Sequence, residues 1–196
     1  MASSYYYLQQ PRHRWGDYGY TLVHGYGRID EATKVCRLQR TGPFVPPFTQ
    51  PGAIVVADAV RIALEASRLA GFSFVPVVKE RIVALDWHQW DPSGDPKEYP
   101  ESGEPEDYIL AGVHSPHAAS AMGDLWALQI PSVARVQRDR PIVESLRELH
   151  LVLGTTQGLD FVRSPDVGHC FVSSRARDWL QAHVGEWVEF EPASVR

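Results

Sequence analysis

The sequence predicts an α+β fold in a single domain, residues 1–196, with a mixed or antiparallel sheet, a few helices and two similar strand–helix–strand units. Three observations carry this expectation. A hydrophobic content of 44% beside 22% charged residues is that of an ordinary globular chain, and 196 residues bury a core without covalent staples. Strand-like alternation and helical periodicity both occur along the chain. Finally, one phrase is written twice, at 56–76 (VADAVRIALEASRLAGFSFVP) and at 172–192 (VSSRARDWLQAHVGEWVEFEP).

In chain order, SYYYLQ is aromatic-rich and stops short of Pro11, which suits a short strand. Residues 16–40 hold Gly16, Gly19, Gly25 and Gly27 among aromatics and then the alternating KVCRLQ, which predicts a hairpin or meander. The four prolines of TGPFVPPFTQPG, at 41–52, predict an extended crossing segment, because each ring removes a donor and restricts its neighbour. AIVV reads as a strand and Asp58 as the N-cap of a helix carrying Val60, Ala63, Leu64 and Ser67, stopped by Gly71. Phe72 and Phe74 return the chain to strand, and PVVKERIVALDW reads as a hairpin turning at KER. After Trp90 the prolines, glycines and charges of DPSGDPKEYPESGEPEDY predict a long surface loop. HSPHAASAMGDLWAL holds a short helix, SVARVQRD a strand, and PIVESLRELHLVLG a helix or a buried strand, the helix preferred because Ile142, Leu146 and Leu149 fall on one face.

The second copy of the phrase closes the chain. It shares Val56/Val172, Arg61/Arg177, Leu64/Leu180, Ala66/Ala182, Phe74/Phe190 and Pro76/Pro192 with the first, 116 residues apart. CFV is its strand, Ser173 or Ser174 its cap, and Ala176, Trp179, Leu180 and His183 its helical period. The interval is too long for a solenoid, whose units run roughly 20 to 50 residues.

Composition narrows the function. No apolar run approaches a bilayer span and the start MASSYYYLQQPRHRW has no apolar signal core, so the expected compartment is the cytoplasm and no membrane partner is expected. Cys36 and Cys170 cannot make a disulfide framework and fit a reducing compartment. The net charge of −5 argues against nucleic acid as partner. Seven carboxylates lie between Asp91 and Asp107 against Lys97 alone, so that segment carries the acidity and the rest of the chain is near neutral.

Catalytic patterns are sparse. His114 and His117 in HSPH lack the third ligand a metal needs, and no metal or cofactor is expected. His169 and Cys170 are adjacent, so in a strand they point to opposite faces and do not meet as base and nucleophile, even with Asp160 or Asp166 as orienter. GYGRID is a lone GxG without a phosphate-binding context. No catalytic residue is assigned. What remains is a surface in which Trp87, Trp90, Tyr99 and Tyr108 interleave with Asp91, Asp95, Glu98, Glu101, Glu104, Glu106 and Asp107, the mixture found in recognition patches.

The YYYL opening, the IVVADAVRIALEA helix followed by FSFVPV, and the closing strand, Ser cap, SSRARDWLQAHV helix and Phe-x-Pro strand together resemble immunity proteins of bacterial polymorphic-toxin and contact-dependent competition systems, a group best populated in predatory and social bacteria. The resemblance covers the middle and the C-terminal quarter, and it is weakest from Trp90 to Pro165. It implies a cytoplasmic protein that binds a cognate toxin domain and neutralises it by steric occlusion, with no chemistry and no cofactor. The acidic segment departs from the pattern, and variable loops are where partner choice would sit. The competing readings are an enzyme or hydrolase assembled from dispersed residues, with His114, His117, His169 and Cys170 as nominees, and a non-enzymatic adaptor.

Overall fold

The computed structural model describes residues 4–30, 32–139 and 146–196 and has an α+β fold. Its strands and helices run β1 (Tyr5–Gln9), α1 (Asp17–His24), β2 (Tyr26–Ile29), β3 (Cys36–Gly42), β4 (Phe48–Thr49), β5 (Ile54–Ala57), α2 (Asp58–Ala66), β6 (Ser73–Ala84), α3 (Asp107–Leu110), α4 (Pro116–Ala121), β7 (Leu125–Gln129), β8 (Val136–Arg138), β9 (Leu149–Leu151), β10 (Phe161–Arg163), β11 (Cys170–Ser173), α5 (Ser174–Val184), β12 (Glu189–Pro192) and β13 (Ser194–Val195). The chain divides into two compact units. One comprises Ala63–Ser73 with the described residues of Met1–Pro11 and Gln129–Arg196; the other comprises the described residues of Arg12–Ile62 with Phe74–Leu128.

The first unit carries a four-stranded sheet, β10-β11-β1-β12, and a three-stranded sheet, β13-β9-β8. Tyr5, Tyr7, Ala134, Leu149, Leu151, Val162 and Phe171 form its buried core. The second unit carries a six-stranded sheet, β2-β3-β6-β7-β5-β4, over a core of Cys36, Leu38, Val55, Ile82, Ala118, Met122, Leu125 and Ala127. The period-2 alternation read in KVCRLQ is real: Cys36, Leu38 and Arg40 are buried while Arg37 and Gln39 are half-buried.

The repeated phrase forms the same substructure twice, and the reason lies outside the phrase. In the first unit β11, α5 and β12 make a strand–helix–strand crossover whose two strands are held apart by β1, antiparallel to both. In the second unit's sheet β7 lies between β5 and β6, antiparallel to β5. The inserted strands read YYYLQ and LWALQ, and their registers match: Tyr6 faces Val172 and Trp126 faces Val56, the Val pair of the repeat. The paired arginines complete the correspondence. Arg177 lies over the Tyr6 ring at 4.3 Å and Arg61 over the Trp126 ring at 4.6 Å, and Leu64 and Leu180 are both fully buried.

The helix ends differ between copies. Ser173 caps α5 by accepting from the Ala176 N–H, as expected. Asp58 instead opens α2, and its carboxylate accepts from Arg61 Nε at 2.9 Å and Trp126 Nε1 at 2.8 Å, fixing the cation over the ring. Gly71 has φ +96, and a Cβ there would stand 2.2 Å from the Phe161 carbonyl oxygen, so no other residue fits without movement. Gly185 stays in the helical region and leads into a 3₁₀ turn.

Two expectations fail, and a third resolves to its less favoured alternative. Residues 17–24 form α1 where a strand was expected, although the hairpin does form downstream as β2–β3. Gly19 is the reason α1 was illegible: a Cβ there would meet the Arg14 carbonyl oxygen at 1.7 Å, so the glycine serves close packing, not a turn. KER makes no turn, and β6 runs through it for 12 residues, with a register shift against β3 at Leu38/Gln39. Of the two alternatives for PIVESLRELHLVLG the preferred helix does not form where the segment is described: a 3₁₀ turn at Leu146–Glu148 leads into the buried strand β9, because Leu149 and Leu151 enter the core with His150 between two neighbouring strands; Ile142 lies outside the described residues.

Two buried polar clusters yield predictions. Asp160 accepts from Ser173 Oγ at 2.6 Å and from the Ala70 N–H at 2.9 Å, with Arg175 at 3.8 Å. Asp160→Ala leaves both donors without a partner, and urea unfolding should show a loss of about 3 kcal/mol. His24 is buried, its Nδ1 accepts from the Gln50 N–H, and its Nε2 therefore carries the proton that bonds His13 Nε2 at 2.7 Å. Burial, then the neighbouring His13 and Arg40, push its pKa from 6.5 down to about 3. The unfolded imidazole takes a proton below about pH 6.5 and the folded one only near pH 3, so stability falls as pH drops through that window. On the order of 3 kcal/mol should be lost between pH 6.5 and 4. His24→Gln should flatten that part of the urea-midpoint profile.

Candidate functional site

The acidic segment is an ordered loop in the second unit, held by aromatic side chains. It leaves β6 through a 3₁₀ turn at Trp87–Gln89 and ends in α3. Trp15 Nε1 donates to the Gly94 carbonyl at 2.7 Å, and Tyr18 Oη to the Gly103 carbonyl at 2.5 Å. Tyr108 Oη donates to the Glu98 carbonyl. The rings themselves interlock: Trp15 with Trp90, Trp90 with Tyr108, and Tyr18 edge-on to both Tyr99 and Tyr108. Burial pushes the Tyr108 hydroxyl up to about 12, with Tyr99, Tyr18 and Glu98 adding to the shift, so it remains a donor at neutral pH.

Trp87, Trp90 and Tyr108 are each only 7% exposed, and they anchor the loop. The reason is size: a loop of this length, rich in charge, orders only if large apolar surfaces anchor it. Tyr99, at 52%, is the exposed member of the aromatic set. Asp91, Asp95, Glu98, Glu101 and Glu104 are exposed, whereas Glu106 and Asp107 are half-buried where α3 begins. Asp91 accepts from both the backbone N–H and the hydroxyl of Ser93, which hold its carboxyl below the usual range and fix the loop's first turn. Trp15 and Tyr18 were missed as anchors because they flank or belong to α1. Their signal was an aromatic residue on either side of Gly16.

The nominated catalytic residues divide between the two units. His114 Nδ1 accepts from the Ile82 N–H at 3.0 Å and holds the chain against β6, while His117 is exposed on α4. His169 lies edge-on to Tyr7 at 5.7 Å in the other unit. Burial pushes both cysteine thiols up, against nucleophilic use: Cys36 is sealed in the core, and at Cys170 the nearby Arg163 only partly opposes the shift. Among the described residues no group of three His, Cys, Asp or Glu is placed to hold a metal ion. No described helix is long and apolar enough to cross a membrane.

If aromatic anchoring orders the loop, Tyr18→Phe should speed amide hydrogen exchange across 98–106 by about tenfold, the effect of removing roughly 1.4 kcal/mol of local stability, with global unfolding nearly unchanged. Equal protection in both proteins would remove this account of the loop.

Comparison with family models, with curated proteins and with solved structures finds no match to this chain.

Proposed function

We propose that the chain is an immunity-type protein that binds a cognate toxin domain and neutralises it by occlusion, using the loop at 91–107 as its contact surface. One observation carries the reading: five exposed carboxylates and Tyr99 project from a loop whose backbone is already pinned by Trp15, Tyr18 and Tyr108. A pinned loop has little conformational entropy left to lose on association, so the binding energy is not spent on ordering it. Clustered charge of one sign steers an oppositely charged partner, which makes a basic toxin face the complementary surface. Tyr99 adds a rigid amphipathic ring at the centre of the charge, the residue type that most often dominates interface energetics.

The test pairs the chain with the toxin domain encoded next to its gene. Co-expression should rescue growth, and stopped-flow mixing should show an association rate that falls steeply with salt. Replacing Asp95, Glu98, Glu101 and Glu104 by their amides should lower that rate by about tenfold at low ionic strength and flatten its salt dependence. Tyr99→Ala should instead speed dissociation, by about tenfold or more. A chain that neither rescues growth nor binds that domain ends the reading, and unchanged rates in the amide variant end the role of the loop.

A further inference from the structure

The outer face of the β2–β3 hairpin carries two arginines in direct opposition. Cys36 and Leu38 point into the core of the second unit, which leaves Arg37 and Gln39 on the other face of their strand. The register sets Arg28 opposite Arg37 and Tyr26 opposite Gln39, so all four side chains share that face. Val78 lies beside Arg37 on β6, and where the register of β6 against β3 shifts, Glu80 is the extra residue between the partners of Leu38 and Gln39. The bulge turns the Glu80 carboxylate towards the arginines. Its Oε1 stands 3.8 Å from Arg28 Nη2 and 3.6 Å from Arg37 Nη1, while its Oε2 accepts from Gln39 Nε2 at 2.8 Å. Tyr26, Gly27, Arg28, Arg37, Gln39 and Glu80 line a cavity of about 100 Å³.

Like charges directly opposite each other destabilise a sheet unless something bridges them. Glu80 does so only in part. Both of its contacts to guanidinium nitrogens are longer than a hydrogen bond, and neither guanidinium donates a hydrogen bond to another described residue. Two cations against one carboxylate leave one positive charge over. Asp30 does not cancel it: its carboxylate is engaged by the Ala32 and Thr33 N–H groups in the β2–β3 turn, and Arg37 is the weakest of the influences on it. The guanidinium fork grips an oxyanion with paired N–H donors, and the surplus calls for a single negative charge. A dianion would bring its second charge against Glu80. The rim of the cavity is apolar, with Val78 43% exposed and Tyr26 39% exposed, one on each strand flanking β3.

We propose that this cavity binds a small carboxylic acid as its monoanion, the carboxylate held between Arg28 and Arg37 and an apolar or aromatic body laid against Val78 and the Tyr26 ring. The ligand accepts the N–H donors that Glu80 leaves open. Gln39 holds the far oxygen of Glu80, so that this carboxylate stays where it screens one charge and repels a second, which selects monoanions over dianions. Binding is reversible and involves no covalent step. The open setting of the pair, with the Arg28 side chain 74% exposed and that of Arg37 38%, fits a weak affinity. The site lies on the sheet and stands independently of the toxin-binding loop.

The experiment titrates the full chain with sodium benzoate at fixed ionic strength and follows the amide and arginine side-chain NMR signals. Expected are saturable shifts at Tyr26, Arg28, Arg37 and Val78, with a dissociation constant on the order of 1 mM. Benzamide, which has the same shape without the charge, should bind at least about tenfold more weakly. Arg37→Gln changes a half-exposed side chain, so it should fold, and it should weaken benzoate by about tenfold. Glu80→Gln acts in the opposite direction: with the neighbouring negative charge gone, benzoate should bind about fivefold more tightly, and inorganic phosphate should gain more. A merely structural charge cluster would give no such gain. Benzoate shifts that do not saturate overturn the proposal, as do benzamide or inorganic phosphate binding the wild-type chain as tightly as benzoate, or a benzoate affinity that neither variant changes. Toxin binding is read separately by the loop variants, so the two readings fail independently.

Discussion

The structure depends on a gap one strand wide. In each copy of the phrase the two strands leave a slot between them that a segment from elsewhere in the chain fills, β1 antiparallel to β11 and β12, and β7 antiparallel to β5. An unfilled slot would leave two rows of backbone N–H and C=O groups without partners, a penalty no side chain offsets. The filling strand is selected by an aromatic residue at its second position. Tyr6 and Trp126 each face a valine across the ladder and lie beneath an arginine from the helix. Aromatic against β-branched is a favourable cross-strand pair, and a guanidinium over the ring adds roughly 0.5–1 kcal/mol. The valine and arginine shared by the two copies of the phrase are thus a clamp, written wherever an inserted strand must be gripped.

Chain order makes the two insertions kinetically different. β1 precedes its crossover by most of the chain, whereas β7 follows its crossover after some forty residues. Closing the longer loop costs more entropy, though only logarithmically. Asp160 supports that longer closure. Its backbone N–H donates to the Ala70 carbonyl, its own carbonyl accepts from the Ser173 N–H, and its carboxylate ties the Ala70 N–H to the hydroxyl that caps α5. A single buried acid therefore joins the turn after the first copy of the helix to the start of the second. A neutral isostere such as Asn keeps only one acceptor there, so either the Ala70 N–H or the Ser173 hydroxyl proton would lose its partner.

What the sequence makes legible is local pattern, and what it hides is tertiary use of local pattern. β1, β5, β11, the two helices of the phrase and the cap at Ser173 follow from alternation, helical spacing and capping chemistry, all decided within ten residues. α1 escapes because Gly19 looks like a turn residue and is there to let the helix approach the Arg14 carbonyl. KER looks like a turn because it is charged, yet Lys79 donates to the Ala119 carbonyl and Glu80 sits near Arg28 and Arg37, so the charges are used within the strand. The acidic segment is legible as a loop but not as an ordered one. Trp87, Trp90 and Tyr108 are identical in type to interface residues, and only their burial separates an anchor from a contact.

The pairing of His150 with Ser194 marks the limit of spacing as a guide to contact. Motifs are legible when one element carries several members, as with two histidines a helical turn apart. Asp139, His150 and Ser194 occupy three adjacent strands or strand ends, and the outer two belong to opposite edges of β9. Nothing in their separation along the chain encodes that β13 pairs parallel to β9 with Ser194 at the level of His150. A shift of one residue in that register would turn Ser194 to the other face and bring Ala193 or Val195 opposite the imidazole. The geometry therefore rests on the final residues of the chain, where Arg196 fixes it from both ends: its N–H donates to the Leu151 carbonyl, its carbonyl accepts from the Leu153 N–H, and its guanidinium holds Asp139.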